Sequence, residues 1–133
     1  MDRVFLDANV LFSAAYRTDS GLRKLFSLSN VGLITSGYAL EEAERNLLSA
    51  RQKAELDHLW QSVEVVSVSL PEEEVAILAE LPESDRPILW AAMSIRSSHL
   101  LSGDFKAFGR FYGETIEGVT IMPPAEYLRK HRR

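Results

Sequence analysis

The chain is 133 residues long, 46% apolar and 26% charged, the make-up of one globular domain with its own core, which excludes a largely disordered protein. A formal net charge of −4 excludes a protein that coats nucleic acid by bulk positive charge, but leaves room for a local basic rim. The absence of cysteine excludes a disulfide framework, a thiolate metal site and a cysteine nucleophile.

Taken in chain order, Val4-Phe5-Leu6 reads as a short buried strand that ends at Asp7. An acidic residue so early is unlike a signal peptide, and no apolar run approaches the ~20 residues of a membrane span. A cytoplasmic protein without a membrane segment is expected. Ser20 to Phe26 has helical spacing, and Val31 to Thr35 reads as a second strand. Tyr38 to Trp60 is a long amphipathic stretch of one or two helices, with Leu40, Ala43, Leu47, Ala50 and Ala54 on one face. Val63 to Val68 is β-branched and partly alternating, a third strand.

Pro71 followed by Glu72, Glu73 and Glu74 predicts a helix start, because acids favour the positive end of the dipole. Another helix is predicted from Ser84-Asp85, with Ser84 as its cap and Pro87 in its first turn. Leu100-Leu101 is a fourth strand, Gly118 to Ile121 a fifth, and a short helix follows Pro123-Pro124. Strands alternating with helices predict a single α/β domain over residues 1–133. Its expected form is a three-layer sandwich around a mostly parallel sheet of about five strands.

Four acids stand out by position. Asp7 and Asp104 terminate apolar runs, and in an open parallel sheet the crevice beyond the carboxyl ends of the strands is where ligands bind. Each also has a plainer use as a helix cap or turn residue. Asp85 opens a helix, where an acid is common for dipole reasons alone. Glu42 lies in Glu41-Glu42-Ala43-Glu44, one turn after the second strand, and either Glu41 or Glu42 is placed to lean over the sheet edge. Asn9 and Ser102 add polar groups on the same rim. An all-oxygen cluster suits Mg2+ or Mn2+. His58, His99 and His131 lack a paired spacing for zinc, and there is no glycine-rich phosphate loop or Gly-x-Ser-x-Gly elbow.

These segments resemble PIN-domain ribonucleases, notably the bacterial toxin-like members paired with an antitoxin. The resemblance rests on Val4 to Leu11, Ser36 to Leu47, Asp85 to Ala92 and Leu100 to Asp104, and on the tail from Gly118 to Leu128. It implies a PIN-like fold and metal-dependent hydrolysis of single-stranded RNA to 5′-phosphate and 3′-hydroxyl ends. Asp7, Glu42, Asp85 and Asp104 would be both catalytic and metal-holding, with Asn9 and Ser102 orienting ligands or waters behind them. An antitoxin chain and a homodimer are the partners it implies. Where many relatives carry a further acid after the fourth one, this chain reads Phe105-Lys106-Ala107.

Since four acids repel phosphate, basic residues must guide RNA. Arg45, Arg51, Arg86, Lys106 and Arg110 are near the motifs, with Arg86 and Lys106 the selected pair. The basic run Arg129 to Arg133 is either a solvated terminus or a further contact. Leu11, Phe12, Tyr16 and Trp60 are apolar candidates for a partner groove. The alternative to an enzyme is a catalytically weak PIN-like module that binds RNA or protein. An aspartyl-phosphate phosphatase is disfavoured because Asp7-Ala8-Asn9 lacks its second acid, and a phospho-receiver lacks its acidic pair and lysine.

Overall fold

The computed structural model describes residues 1–131. Among them, six strands form one sheet in the order β3-β2-β1-β4-β6-β5. They are β1 (Asp2–Leu6), β2 (Val31–Ser36), β3 (Glu64–Val66), β4 (His99–Leu101), β5 (Thr115–Ile116) and β6 (Val119–Met122). All pairs are parallel except β5 with β6. The α-helices are α1 (Ala8–Tyr16), α2 (Gly37–Asn46), α3 (Ala50–Trp60), α4 (Ala76–Ala79), α5 (Arg86–Ser94), α6 (Phe105–Phe108) and α7 (Pro124–Lys130).

Parallel crossovers are right-handed, so the direction of travel along the sheet decides which face each helix covers. The chain steps from β1 through β2 to β3 in one direction, then returns past β1 to β4 and β6. Helices of the first half therefore cover one face and those between β3 and β6 the other, giving three layers. α1 packs on α2 and α3, while α5 packs on β4. Covered on both sides, the central strands are continuous apolar runs, and Val4, Phe5, Leu6, Leu100 and Leu101 are fully buried.

The sixth strand was not expected. Thr115–Ile116 folds back on β6 through a two-residue turn at Glu117 and Gly118, both with positive φ (51° and 83°). Such a turn matches the twist of a hairpin, but glutamate is an uncommon choice for it, so the sequence carries no turn signal there. Helix α1 was also hidden, because Ala8 to Tyr16 is so apolar that no stripe is visible. Gly21–Ser27 is a 3-10 helix rather than an α-helix.

The long stretch after Tyr38 splits in two, with Ser49 capping α3 through the Gln52 N–H at 3.0 Å. Pro71 to Glu74 does not open a helix. Those glutamates are exposed, and helical turns form only from Ala76, where Leu78 reaches the core. Ser84 does not cap α5 either; it lies in a 3-10 turn, Glu83–Asp85, and its carbonyl accepts the Tyr38 hydroxyl at 2.7 Å. Leu11 is fully buried and so offers no partner surface, whereas Tyr16 is exposed. Arg132 and Arg133 of the basic run lie outside the described residues. Among the described residues, no helix is long and apolar enough to cross a membrane.

Candidate active site at the strand ends

The sheet reverses its order of travel between β1 and β4, and the crevice beyond their carboxyl ends is the place such a sheet offers a ligand. Asp7 follows the last residue of β1, and its backbone N–H donates to the Leu101 carbonyl at 3.0 Å, joining the two strand ends. Ser102, Gly103 and Asp104 continue from β4 directly alongside.

Asp7 is 3% exposed. Its Oδ1 accepts the Ala8 N–H at 2.7 Å, and its Oδ2 accepts the Ser102 hydroxyl at 2.7 Å and the Asn9 Nδ2 at 3.1 Å. Burial pushes its carboxyl up from the usual 3.8 to about 6, and the Asp85 and Glu42 carboxylates add to that, against the opposing pull of the Ser102 and Ala8 hydrogen bonds. Asn9 also ties the rim together by accepting the Gly103 N–H at 2.7 Å through its Oδ1. The Ser102 Oγ meanwhile accepts the Asp104 N–H at 3.1 Å.

Asp85 stands at the start of α5 yet makes no capping hydrogen bond, so the plain use of an acid there does not occupy it. Its carboxyl is pushed up to about 6 by burial and then by Asp104 and Glu42. Asp104 does cap α6, with Oδ1 accepting the Ala107 N–H at 3.1 Å. Between the two adjacent glutamates the structure discriminates. Glu41 faces solvent and pairs with Arg45 at 3.6 Å, while Glu42 is half-buried and lines a cleft of about 390 Å3 with Ala8, Asn9, Phe12 and Asn46. All four candidate acids thus lie within electrostatic reach of Asp7 or of Asp85.

The basic candidates are more dispersed. Arg86 donates its Nε to the Leu81 carbonyl at 3.1 Å and borders a groove with Glu73 and Glu74. Arg110 pairs with Glu80 and lies over the Phe111 ring, 4.7 Å from its centroid. Lys106 and Arg51 are exposed, Lys106 two residues past Asp104. Two tyrosines on the rim were not singled out from sequence. Tyr38 and Tyr112 both have hydroxyls raised above the usual range, first by burial and then by the site's acids. Nothing in their sequence neighbourhood signals this, since the fold brings them there.

The donor chemistry fits a hard divalent cation. Every candidate ligand is a carboxylate oxygen, and a dication would offset both the burial that chiefly raises Asp7 and Asp85 and the smaller repulsion from their acidic neighbours. The match is one of donor type and charge, because among the described residues no three acid or histidine side chains converge to ion-holding distance as they stand.

Neither a family model nor a curated protein matches the sequence. Among solved structures, a chain from the crystal structure of VapBC2 from Rickettsia felis, bound to a DNA fragment from their promoter, superposes with a TM-score of 0.66. The alignment covers 91% of this chain and 98% of that one at 16% identity, so the two share a fold, the PIN-like α/β fold.

Proposed function

We propose that this chain is a metal-dependent endoribonuclease acting on single-stranded RNA, and that it serves as the toxin of a toxin–antitoxin pair. The observation that carries the reading is the grouping of Asp7, Glu42, Asp85 and Asp104 around the crevice beyond β1 and β4. The fold shared with a VapBC2 chain supports it, and brings in an antitoxin chain as partner. A second copy of the chain is the other partner proposed.

In this reading the four carboxylates hold Mg2+ or Mn2+. An ion held there would supply Lewis-acid chemistry for phosphodiester hydrolysis. Ser102 and Asn9 aim Asp7 by donating to its Oδ2, and Ser102 with the Ala8 N–H favours its ionised form against the opposing effect of burial. The Ala107 N–H fixes one oxygen of Asp104 and leaves the other for the site. The apolar wall of Val4, Phe5, Leu6, Leu100 and Leu101 beneath excludes water from that side. No histidine lies among these groups, so general-base work by imidazole has no part.

The test is cleavage of mixed-sequence single-stranded RNA with Mg2+ or Mn2+, beside EDTA and the Asp7→Asn/Asp104→Asn double variant. Cutting that needs metal and disappears in the variant is the expected result. A second reading, a PIN-like module that binds RNA or protein without cutting, is favoured by the one observation that no three acids stand at ion-holding distance. RNA binding that survives the double variant, with no cutting by the parent, would replace the first reading with the second.

A further inference from the structure

Beside Asp104 the rim carries a group that acid chemistry does not need. Phe105, the first residue of α6, is 74% exposed. An exposed ring forgoes the burial that stabilises the other aromatics. It is nonetheless seated. The ring lies across Gly109, so that a Cβ there would fall 2.6 Å from its Cδ1 and 2.8 Å from its Cε1. On another side is Tyr112, whose ring centroid is 6.3 Å away at a tilt of 53°. Tyr112 donates its hydroxyl to the Ser102 carbonyl at 2.8 Å, and the Ser102 hydroxyl holds Asp7. The plate is therefore tied through two residues to the end of β4.

Its company decides what it fits. Phe105 stands between half-buried Asp104 and exposed Lys106, with exposed Gly103 beyond. One ring among charges is too small a patch for a protein interface, which needs a contiguous area of several hundred Å2 per partner. A flat exposed π face matches a nucleobase, and the exposed cation next to it in the chain is a candidate for the adjoining phosphate.

We propose that Phe105 is a stacking platform for one base of single-stranded RNA, seated by Gly109 and Tyr112, with Lys106 on the adjoining backbone, so that a neighbouring phosphodiester lies against the acids. This rests on the ribonuclease reading for the identity of the ligand. Stacking accepts any base and favours the larger purines, so cut sites carry a purine preference at one fixed position.

The experiment uses short single-stranded RNA bearing 2-aminopurine, with Ca2+ in place of Mg2+, and the full chain as parent, Phe105→Ala, Phe105→Leu and Phe105→Trp. Thermal melts first establish that each variant is folded. The parent quenches the fluorophore. The alanine variant binds about tenfold more weakly, equivalent to about 1.4 kcal/mol, and loses the quench. Tryptophan restores both, and leucine, apolar but without a π face, restores neither. In parallel cleavage with Mg2+ or Mn2+, the alanine variant raises KM about as much and changes kcat little. Leucine performing as well as the parent, or all four chains binding alike, overturns the assignment. A parent that binds no RNA overturns it too. Quenching by a parent that never cuts leaves the platform standing and removes the nuclease, whereas cutting indifferent to all three variants does the reverse.

Discussion

The two ends of β1 and β4 bury carboxylates in opposite company. At the amino end, Asp2 accepts the Tyr127 hydroxyl at 2.7 Å and stands 3.6 Å from the His131 ring nitrogen and 3.9 Å from that of His99. Its neighbours are a hydroxyl donor and two imidazoles, with no like charge among them. At the carboxyl end, Asp7 has hydrogen bonds of equal quality but its charged neighbours are Asp85 and Glu42. Hydrogen bonding thus does not separate a structural acid from a candidate catalytic one. What differs is the surroundings: Asp2 has a hydroxyl donor and two imidazoles beside it, whereas Asp7 is desolvated by burial and has like charges added to that.

The largest effect that would break this contrast is in pH. The folded-state value of Asp7, about 6, lies above its ordinary 3.8. The folded chain therefore holds that proton more tightly than the unfolded one, and the contribution of Asp7 to metal-free stability is fullest below about pH 4 and is lost as pH rises through 6. Asp7 alone accounts for on the order of 3 kcal/mol across that window, with Asp85 acting in the same direction. Chemical denaturation at pH 4 and pH 7.5 in EDTA reads most of it. Asp7→Asn should flatten the profile and leave the neutral-pH chain more stable than the parent; an unchanged slope breaks the contrast.

Next is Ser102→Ala, which removes the hydroxyl that aims Asp7 and should lower metal-dependent cleavage by about 10- to 100-fold, the usual loss of a partner behind a metal ligand. Steady-state rates at saturating metal check it. At the opposite end Tyr127→Phe should cost about 1.5 kcal/mol in a denaturation midpoint, by leaving Asp2 without its donor, and leave cleavage unchanged. Smallest is Gly109→Ala. Gly109 has helical φ, so alanine is conformationally easy and should stabilise by up to about 1 kcal/mol. The new methyl displaces the Phe105 ring, and RNA affinity should fall a few-fold while stability rises.

Much of the fold was legible because the central strands are buried on both faces and so spell unbroken apolar runs that stop at Asp7 and at Ser102-Gly103-Asp104. The acids at those stops were visible for the same reason. Spacing alone did not separate Glu42 from Glu41, and only the resemblance selected it, because helix phase relative to the sheet is a tertiary fact, set by Ala39 and Ala43 packing inward. Asp85 was ambiguous until its carboxylate proved free of the cap. The sixth strand escaped because Glu117 occupies a backbone region glutamate seldom enters, and α1 because it is apolar nearly all round. Arg86, chosen for its nearness in sequence, spends its Nε on the Leu81 carbonyl instead. The seat of Phe105 is a void left by a glycine four residues on, and a missing atom leaves no pattern in a sequence.

The hydrogen bond from Ser102 to Asp7 spans 95 positions. During synthesis, a chain emerging from the ribosome presents Asp7 and Glu42 well before Ser102 and Asp104 are free to join them. Pairings of such long range close late in folding. Whatever these acids do, they cannot do it as a nascent chain. The crevice beyond β1 and β4 is thus a product of the finished fold, and no shorter stretch of the chain carries it in advance.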